Sequence, residues 1–362
     1  MRPRRRAGSA LAVVLAVLAV LPGAGVAQVQ EGMVCAARIA DGGCTAEQAL
    51  DLLDGAETPD ALYVRSGLLV MAKGPAALAD AAVLVRRAAE QGHPQAQYEI
   101  GIAQLRRATE GEAEAATRAD RWLRAAAEQK HSEAAYALGL AYMLGDVLSE
   151  NAYEGSYLLE QAAAQDHAAA NFEAGRIYRD GFGVAQDLER AEAYFVRAGE
   201  LGHPDAFYEA AATILRERSV DRDMGRALAH ARRAAEGGHA FALLLAGDIL
   251  TEGPLPLRDA SQARAYFTRA AQSSDAKVAQ LGQQRLQRRT GPSIADVMRG
   301  DAASAEAAAM STEMLLLGTG MALMVLGAQG AGDMPGYTPN YDHYSSTVHT
   351  WSGIAIGEIG RP

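Results

Sequence analysis

Small and apolar residues recur along this chain at helical spacing, in segments closed by glycine turns. The clearest segment runs from Ala168 to His203. Its first half sets Ala170, Phe172, Ala174, Gly175 and Tyr178 on one stripe, with steps of two to four residues, which predicts a helix with one apolar face. Gly181 and Gly183 then mark a loop, because a left-handed or sharply reversed backbone costs glycine little. A second helix is predicted from about Asp187 to Glu200, with Ala191, Tyr194, Phe195 and Ala198 on one face and Glu189, Arg190, Glu192 and Arg197 elsewhere. Leu201-Gly202 reads as its C-cap. His203-Pro204 opens the next unit, with proline suited to a first helical position.

The unit repeats. With His203 as a ruler, His93, His131, His167 and His239 hold the same place and Asp275 follows, at intervals of 38, 36, 36, 36 and 36 residues. Gly67, Gly101, Gly139 and Gly247 match Gly175, while Ala88, Ala126, Ala162, Ala234 and Ala270 match Ala198. Trp122 and Tyr266 match Tyr194. A period of this length predicts stacked helix pairs rather than one closed core, and six such units fit between 60 and 275. Tyr98, Tyr136, Phe172 and Tyr208 share one register position. They are read, with the repeated glycines and alanines, as packing between helices rather than as a box for a ligand.

The pattern resembles the Sel1-like repeat family, relatives of the tetratricopeptide repeats. Its carriers are Ala170, Phe172, Gly175 and Tyr178, the loop Gly181-x-Gly183-Val184-x-x-Asp187, then Ala191, Tyr194, Ala198 and the Gly202-His203 turn. The resemblance implies an all-α fold, a right-handed α-solenoid of stacked helix-turn-helix repeats, and a scaffold that holds one protein against another over an extended concave face. On that reading the first helix of each unit lines the inner face, and Gln97, Asn171 and Arg176 are candidate partner contacts. The loops TEGEAEAAT, RERSVDRDMG and GPLPLRD of the second, fifth and sixth units depart from the family turn. They are read either as drift or as places for partner specificity. Some secreted relatives with a cysteine pair in each repeat have been described as β-lactamase-like or penicillin-binding proteins. No repeat here holds a cysteine, so that precedent for catalysis does not carry over.

The flanks add a compartment. Residues 1–27 combine Arg2, Arg4, Arg5 and Arg6, an apolar run from Ala10 to Leu21 and the small residues Gly25-Val26-Ala27, the pattern of a secretory signal peptide cleaved near Ala27. A periplasmic or secreted protein is expected. Losing those four arginines moves the formal charge from −10 to −14, and an acidic chain with no basic patch is a poor nucleic-acid binder. The segment 28–59 reads as an N-terminal cap. It holds both cysteines, Cys35 and Cys44, which in an oxidising compartment are read as one disulfide stapling a short loop ahead of a helix beginning near Thr45. A redox pair is the sharper alternative, but the spacing is not Cys-x-x-Cys.

Beyond the repeats, 276–292 reads as a C-terminal capping helix, 293–329 as an Ala-rich and hydrophobic helical segment, and 330–362 as an irregular Gly- and Tyr-rich tail. Met314 to Ala328 is an uncharged run shorter than the roughly 20 residues that span a bilayer. It is left as a docked helix, a membrane contact or a partner-binding segment. No nucleophile elbow, phosphate loop or His-Glu-x-x-His motif occurs, and one histidine per repeat spreads potential metal ligands along the stack. The expectation is therefore an exported, non-catalytic adaptor without cofactor or metal, bound to another envelope protein. The alternatives are a cell-wall enzyme or ligand-binding protein using the C-terminal segment, and a membrane-tethered assembly factor.

Overall fold

The computed structural model describes residues 24–216 and 223–287, which are helical with short turns and contain no strand. The helices are α1 (Ala24–Ala37), α2 (Ala46–Leu52), α3 (Pro59–Lys73), α4 (Leu78–Glu90), α5 (Pro94–Thr109), α6 (Ala113–Glu128), α7 (Ser132–Leu144) and α8 (Ala152–Ala163). They continue as α9 (Ala168–Asp180), α10 (Leu188–Glu200), α11 (Ala206–Arg216), α12 (Met224–Glu236), α13 (Ala240–Glu252), α14 (Ala260–Ala271) and α15 (Ala276–Gln287). From α3 to α14 they form six consecutive pairs. The described chain divides into two compact units, 24–134 and 135–287. Pro59–Glu90 is apolar enough overall to cross a membrane by length and composition, yet it is the α3–α4 pair, broken at Gly74 where φ is +67°.

In the first unit, α1 and α2 cover one end of α3. Cys35, Ala46, Ala49, Leu53, Ala56, Ala61 and Leu68 form one buried cluster. The Cys35–Cys44 disulfide ties α1 to the turn before α2, with 5.4 Å between the Cα atoms. The disulfide closes the short loop 38–44 ahead of α2, as expected, and α1 precedes that loop. Thr45 caps α2 reciprocally with Gln48: the Thr45 hydroxyl accepts from the Gln48 N–H, and the Gln48 side chain accepts from the Thr45 N–H. The expected signal-peptide cleavage point falls within α1.

Within the second, third, fourth and sixth pairs the helices cross closely at the repeated glycine. A Cβ at Gly101 would stand 2.6 Å from Leu123, at Gly175 2.7 Å from Phe195, and at Gly247 2.4 Å from Phe267. At Gly139 it would meet Leu159 at 2.8 Å and the Gly155 carbonyl at 3.1 Å. These large partners lie three residues before Ala126, Ala198, Ala270 and Ala162, all fully buried. The fifth pair solves the crossing differently, with Ala211 in the glycine position and Ala231 in the large one, both fully buried. A methyl added on one helix is matched by a ring removed from the other.

The far end of the second unit is closed by α15. Val278 enters the core of α11 to α14, and the Arg285 guanidinium donates two bonds to Asp248 on α13, at 2.8 and 2.9 Å, with both side chains almost wholly buried. The second repeat also differs from expectation. Ala-rich TEGEAEAAT is mostly helix, because α5 runs on to Thr109 and α6 starts at Ala113, leaving a turn of three residues with Gly111 at φ +96°. No loop projects there. Residues 217–222 of the fifth loop, the apolar run Met314 to Ala328, the segment 293–329 and the tail lie outside the described residues.

Candidate interaction surface

The histidine at each junction holds two helices at once. At His93, His131, His167, His203 and His239 the backbone N–H donates to the carbonyl of Ala88, Ala126, Ala162, Ala198 and Ala234, at 2.9–3.3 Å. The residue before each histidine donates to a carbonyl one place further on, completing a Schellman closure of the preceding helix. That residue needs a left-handed backbone, and it is Gly92, Lys130, Asp166, Gly202 and Gly238 in turn, all at positive φ. The histidine side chain then caps the next helix. Nδ1 accepts from the N–H of Ala96, Ala134, Ala170 and Ala242 at 3.1–3.2 Å. His203 is the exception: α11 starts late, at Ala206, Pro204 stays outside the helix, and Nδ1 has no partner among the described residues. Asp275 caps α15 through Lys277 and Val278.

The rings carry a third role. Tyr63, Tyr98, Tyr136, Phe172 and Tyr208 each stack on the histidine of the following junction, with centroids 4.0–4.8 Å apart. The sixth repeat has Leu244 in the aromatic position and Asp275 in the histidine position, so ring and imidazole are lost together. A cap through Nδ1 requires a neutral imidazole with its proton on Nε2. Burial favours that form, holding His93 and His131 below the ordinary histidine value and His203 down at about 4.

One of these stacks borders a buried polar chain. His131 Nε2 donates to Gln95 Oε1 at 2.8 Å, and Gln95 Nε2 and the Tyr63 hydroxyl both donate to Glu99 Oε1, at 3.3 and 2.6 Å. Burial pushes the Glu99 carboxyl up to about 7, against the pull of those two donors. The sequence offered no sign of this arrangement beyond the register, because a glutamate in a helix is ordinarily a solvated residue.

Of the three candidate partner contacts, two face inward. Gln97 is buried; its amide donates to the Ala89 carbonyl at 3.1 Å and accepts from Gln129 at 2.8 Å. Asn171 is buried and donates to the carbonyls of Ala163 and His167, each at 3.0 Å. Both stand four residues after the junction histidine and reach a carbonyl in the last turn of the preceding helix, adding a second donor to the one supplied by Gly92 or Asp166. They hold the stack rather than a partner. Arg176 is partly exposed and paired with Glu173 at 3.1 Å. Next to it, Arg179 bridges Asp180 at 2.8 Å and Glu209 on α11 at 2.5 Å. The first helices of the fourth and fifth repeats therefore present charged groups already held in place by one another.

The larger exposed apolar side chains lie elsewhere. Tyr153 and Tyr157 stand out from α8 with 75% and 53% of their surface exposed. Phe182 and Leu255 project from loops. Among the described residues no group of three or more His, Cys, Asp or Glu is placed to hold a metal ion.

A family profile described as Sel1 repeat matches residues 132–167, 168–203, 208–239 and 240–275. The break at 204–207 falls where α11 starts late. No curated protein matches the chain. Among solved structures, a protective antigen present in uropathogenic Escherichia coli strains, displaying an SLR fold, aligns with 77% of this chain at a TM-score of 0.61 and 21% identity. This chain covers 61% of that protein's length. A Sel1 repeat protein from Oxalobacter formigenes aligns with 72% of this chain and 76% of its own, at 25% identity and a TM-score of 0.49. Sel1 repeats are in general protein-interaction modules, and proteins built from them are typically non-catalytic scaffolds. Residues 132–275 carry four Sel1 repeats.

Proposed function

We propose that this chain is an exported, non-catalytic scaffold that binds another protein of the cell envelope through the surface of its repeats. The observation that carries the reading is the use of the polar groups. The junction histidines, Gln97, Asn171, Glu99 and the Asp248–Arg285 pair are occupied in closing, capping and pinning helices. A stack of helix pairs has surface to offer a partner, with many modest contacts along it. Export is supported by the basic-then-apolar start of the sequence and by the Cys35–Cys44 disulfide, a bond that persists in oxidising compartments.

Crosslinking in intact cells, followed by recovery of the processed chain from the periplasmic fraction, tests the reading. One envelope protein recovered in stoichiometric amount is expected. Absence of any crosslinked protein, together with retention of the unprocessed chain in the cytoplasm, contradicts it. Release from membranes by carbonate is expected as well; retention would favour the tethered assembly factor with Met314 to Ala328 inserted.

A further inference from the structure

Resting on the scaffold reading, we propose that the exposed tyrosine face of α8, with Phe182 beside it, is the docking site for a basic segment of the partner protein, one bearing arginine or lysine. Tyr153 and Tyr157 are 75% and 53% exposed. Four residues apart on one helix, they project side by side. Phe182, 39% exposed, lies in the loop after α9. That loop rests on the start of α8: a Cβ at its Gly183 would come 2.4 Å from the Ala152 carbonyl oxygen. The loop that carries Phe182 thus adjoins the end of the helix that carries Tyr153.

Repeat packing does not require them. At the position of Tyr153 the later repeats have Glu189, Gly225 and Ser261, and at that of Tyr157 they have Ala193, Ala229 and Ala265. The fold is built equally well with small or charged residues there. Rigid aromatic side chains left in water, at positions the stack leaves free, mark an interaction surface, since tyrosine contributes large contact area at low entropic cost.

Charge selects the occupant. Between Lys130 and Arg176 there is no lysine or arginine, while Glu133, Asp146, Glu150, Glu154 and Glu160 are acidic; Asp166 and Glu173, acidic too, are paired with Arg197 and Arg176. Asp146 and Glu150 are exposed in the turn that leads into α8. A guanidinium or ammonium group fits such a surface twice over, against the faces of the tyrosines and beside the carboxylates. A second copy of the chain would bring the same carboxylates face to face across a two-fold axis, and a chain with formal charge −10 resists that.

The test uses the full processed chain and two peptides of equal length, one of alternating Arg, Lys and Gly and one with Asp and Glu in place of the basic residues, titrated calorimetrically at low and high salt. The basic peptide is expected to bind, more weakly as salt rises, and the acidic peptide not to bind. Y153A/Y157A should weaken binding about tenfold or more, while Y153F/Y157F, which keeps both rings, should stay within about twofold. Unchanged circular dichroism of both variants confirms that the fold is intact. Equal binding of the two peptides, or no loss in Y153A/Y157A, overturns the proposal. So does a chitooligosaccharide that binds the chain and is lost in the same variant, because the rings would then serve a glycan. A dimer that Y153A/Y157A dissociates overturns it, as does hydroxyl-radical protection of both tyrosines in the dilute isolated chain, which would mean that the chain covers them itself. In-cell crosslinking separates this proposal from the scaffold reading. A partner captured equally by the wild-type chain and Y153A/Y157A leaves the scaffold standing without this site, and capture by neither removes both.

Discussion

His167→Ala is the substitution that most sharply tests the junction. In the wild-type chain His167 Nδ1 accepts the Ala170 N–H at 3.1 Å, and its ring stacks on Tyr136 with centroids 4.6 Å apart. Loss of an N-cap side chain costs about 1 kcal/mol, and loss of an aromatic pair costs about another 1 kcal/mol. H167A is therefore expected to destabilise by about 2 kcal/mol, roughly a thirtyfold change in the folding equilibrium. His167→Asn divides the two effects, since asparagine caps well but offers no ring. It should recover about half of the loss. The bond from the His167 N–H to the Ala162 carbonyl is made by backbone and stays in every variant. Urea unfolding followed by circular dichroism measures each change, with Y136L and Y136L/H167N completing a cycle. A coupling near 1 kcal/mol supports the stack. If H167N is as unstable as H167A, the cap contributes nothing; if H167N equals wild type, the stack contributes nothing. Either result refutes the reasoning.

Further outcomes follow from the same geometry. Lys130 adopts φ +64° where three of the other four junctions have glycine, so Lys130→Gly should stabilise by about 1 kcal/mol, read as a higher urea midpoint at unchanged slope. Gly175→Ala places a Cβ about 2.7 Å from Phe195 and should destabilise by about 1–3 kcal/mol; Phe195→Ala made in that background should cost less than it does alone. Between pH 4.5 and about 7 the folded chain holds a proton on Glu99 that the unfolded chain has released, so this group lowers stability as pH rises through that window, by roughly 3 kcal/mol in all. Glu99→Gln should flatten that slope, and a carboxyl resonance titrating near 4.5 would contradict it. His203 acts with the opposite sign: below 6.5 the unfolded chain takes up a proton that the folded chain resists down to about 4, so stability falls on acidification through that range. His203→Leu should remove this acid sensitivity, measured by urea midpoints at several pH values.

Most of the helix order was legible because the period is set by packing. A glycine at most crossings, or Ala211 at the fifth, and an alanine at each closure are the small residues that close approach demands, and they recur at the same interval as the structure they make. The histidines were legible as junction markers, but their work was not. The ring stack depends on where a previous repeat places its aromatic residue, and Tyr63, which stacks on His93 at 4.4 Å, lies ahead of the first junction histidine used as the ruler. Gln97 and Asn171 were misread for a related reason. A polar residue on a helix between apolar ones looks like a surface contact in sequence, whereas here it ties its helix to the end of the preceding one. Alternation cannot distinguish a polar side chain aimed at water from one aimed at a helix end. The third repeat's tyrosines show the converse, since a residue outside the stripe is legible as surface, and comparison among repeats reveals that it is not required for packing.

The central claim is that the repeats bind a partner protein. Its most direct measurement is hydrogen exchange on the processed chain with and without the protein recovered by crosslinking. The account predicts slowed exchange along contiguous helices between 132 and 275, where the four Sel1 repeats lie. Protection confined to residues after Gln287, with the repeats unchanged, would contradict it.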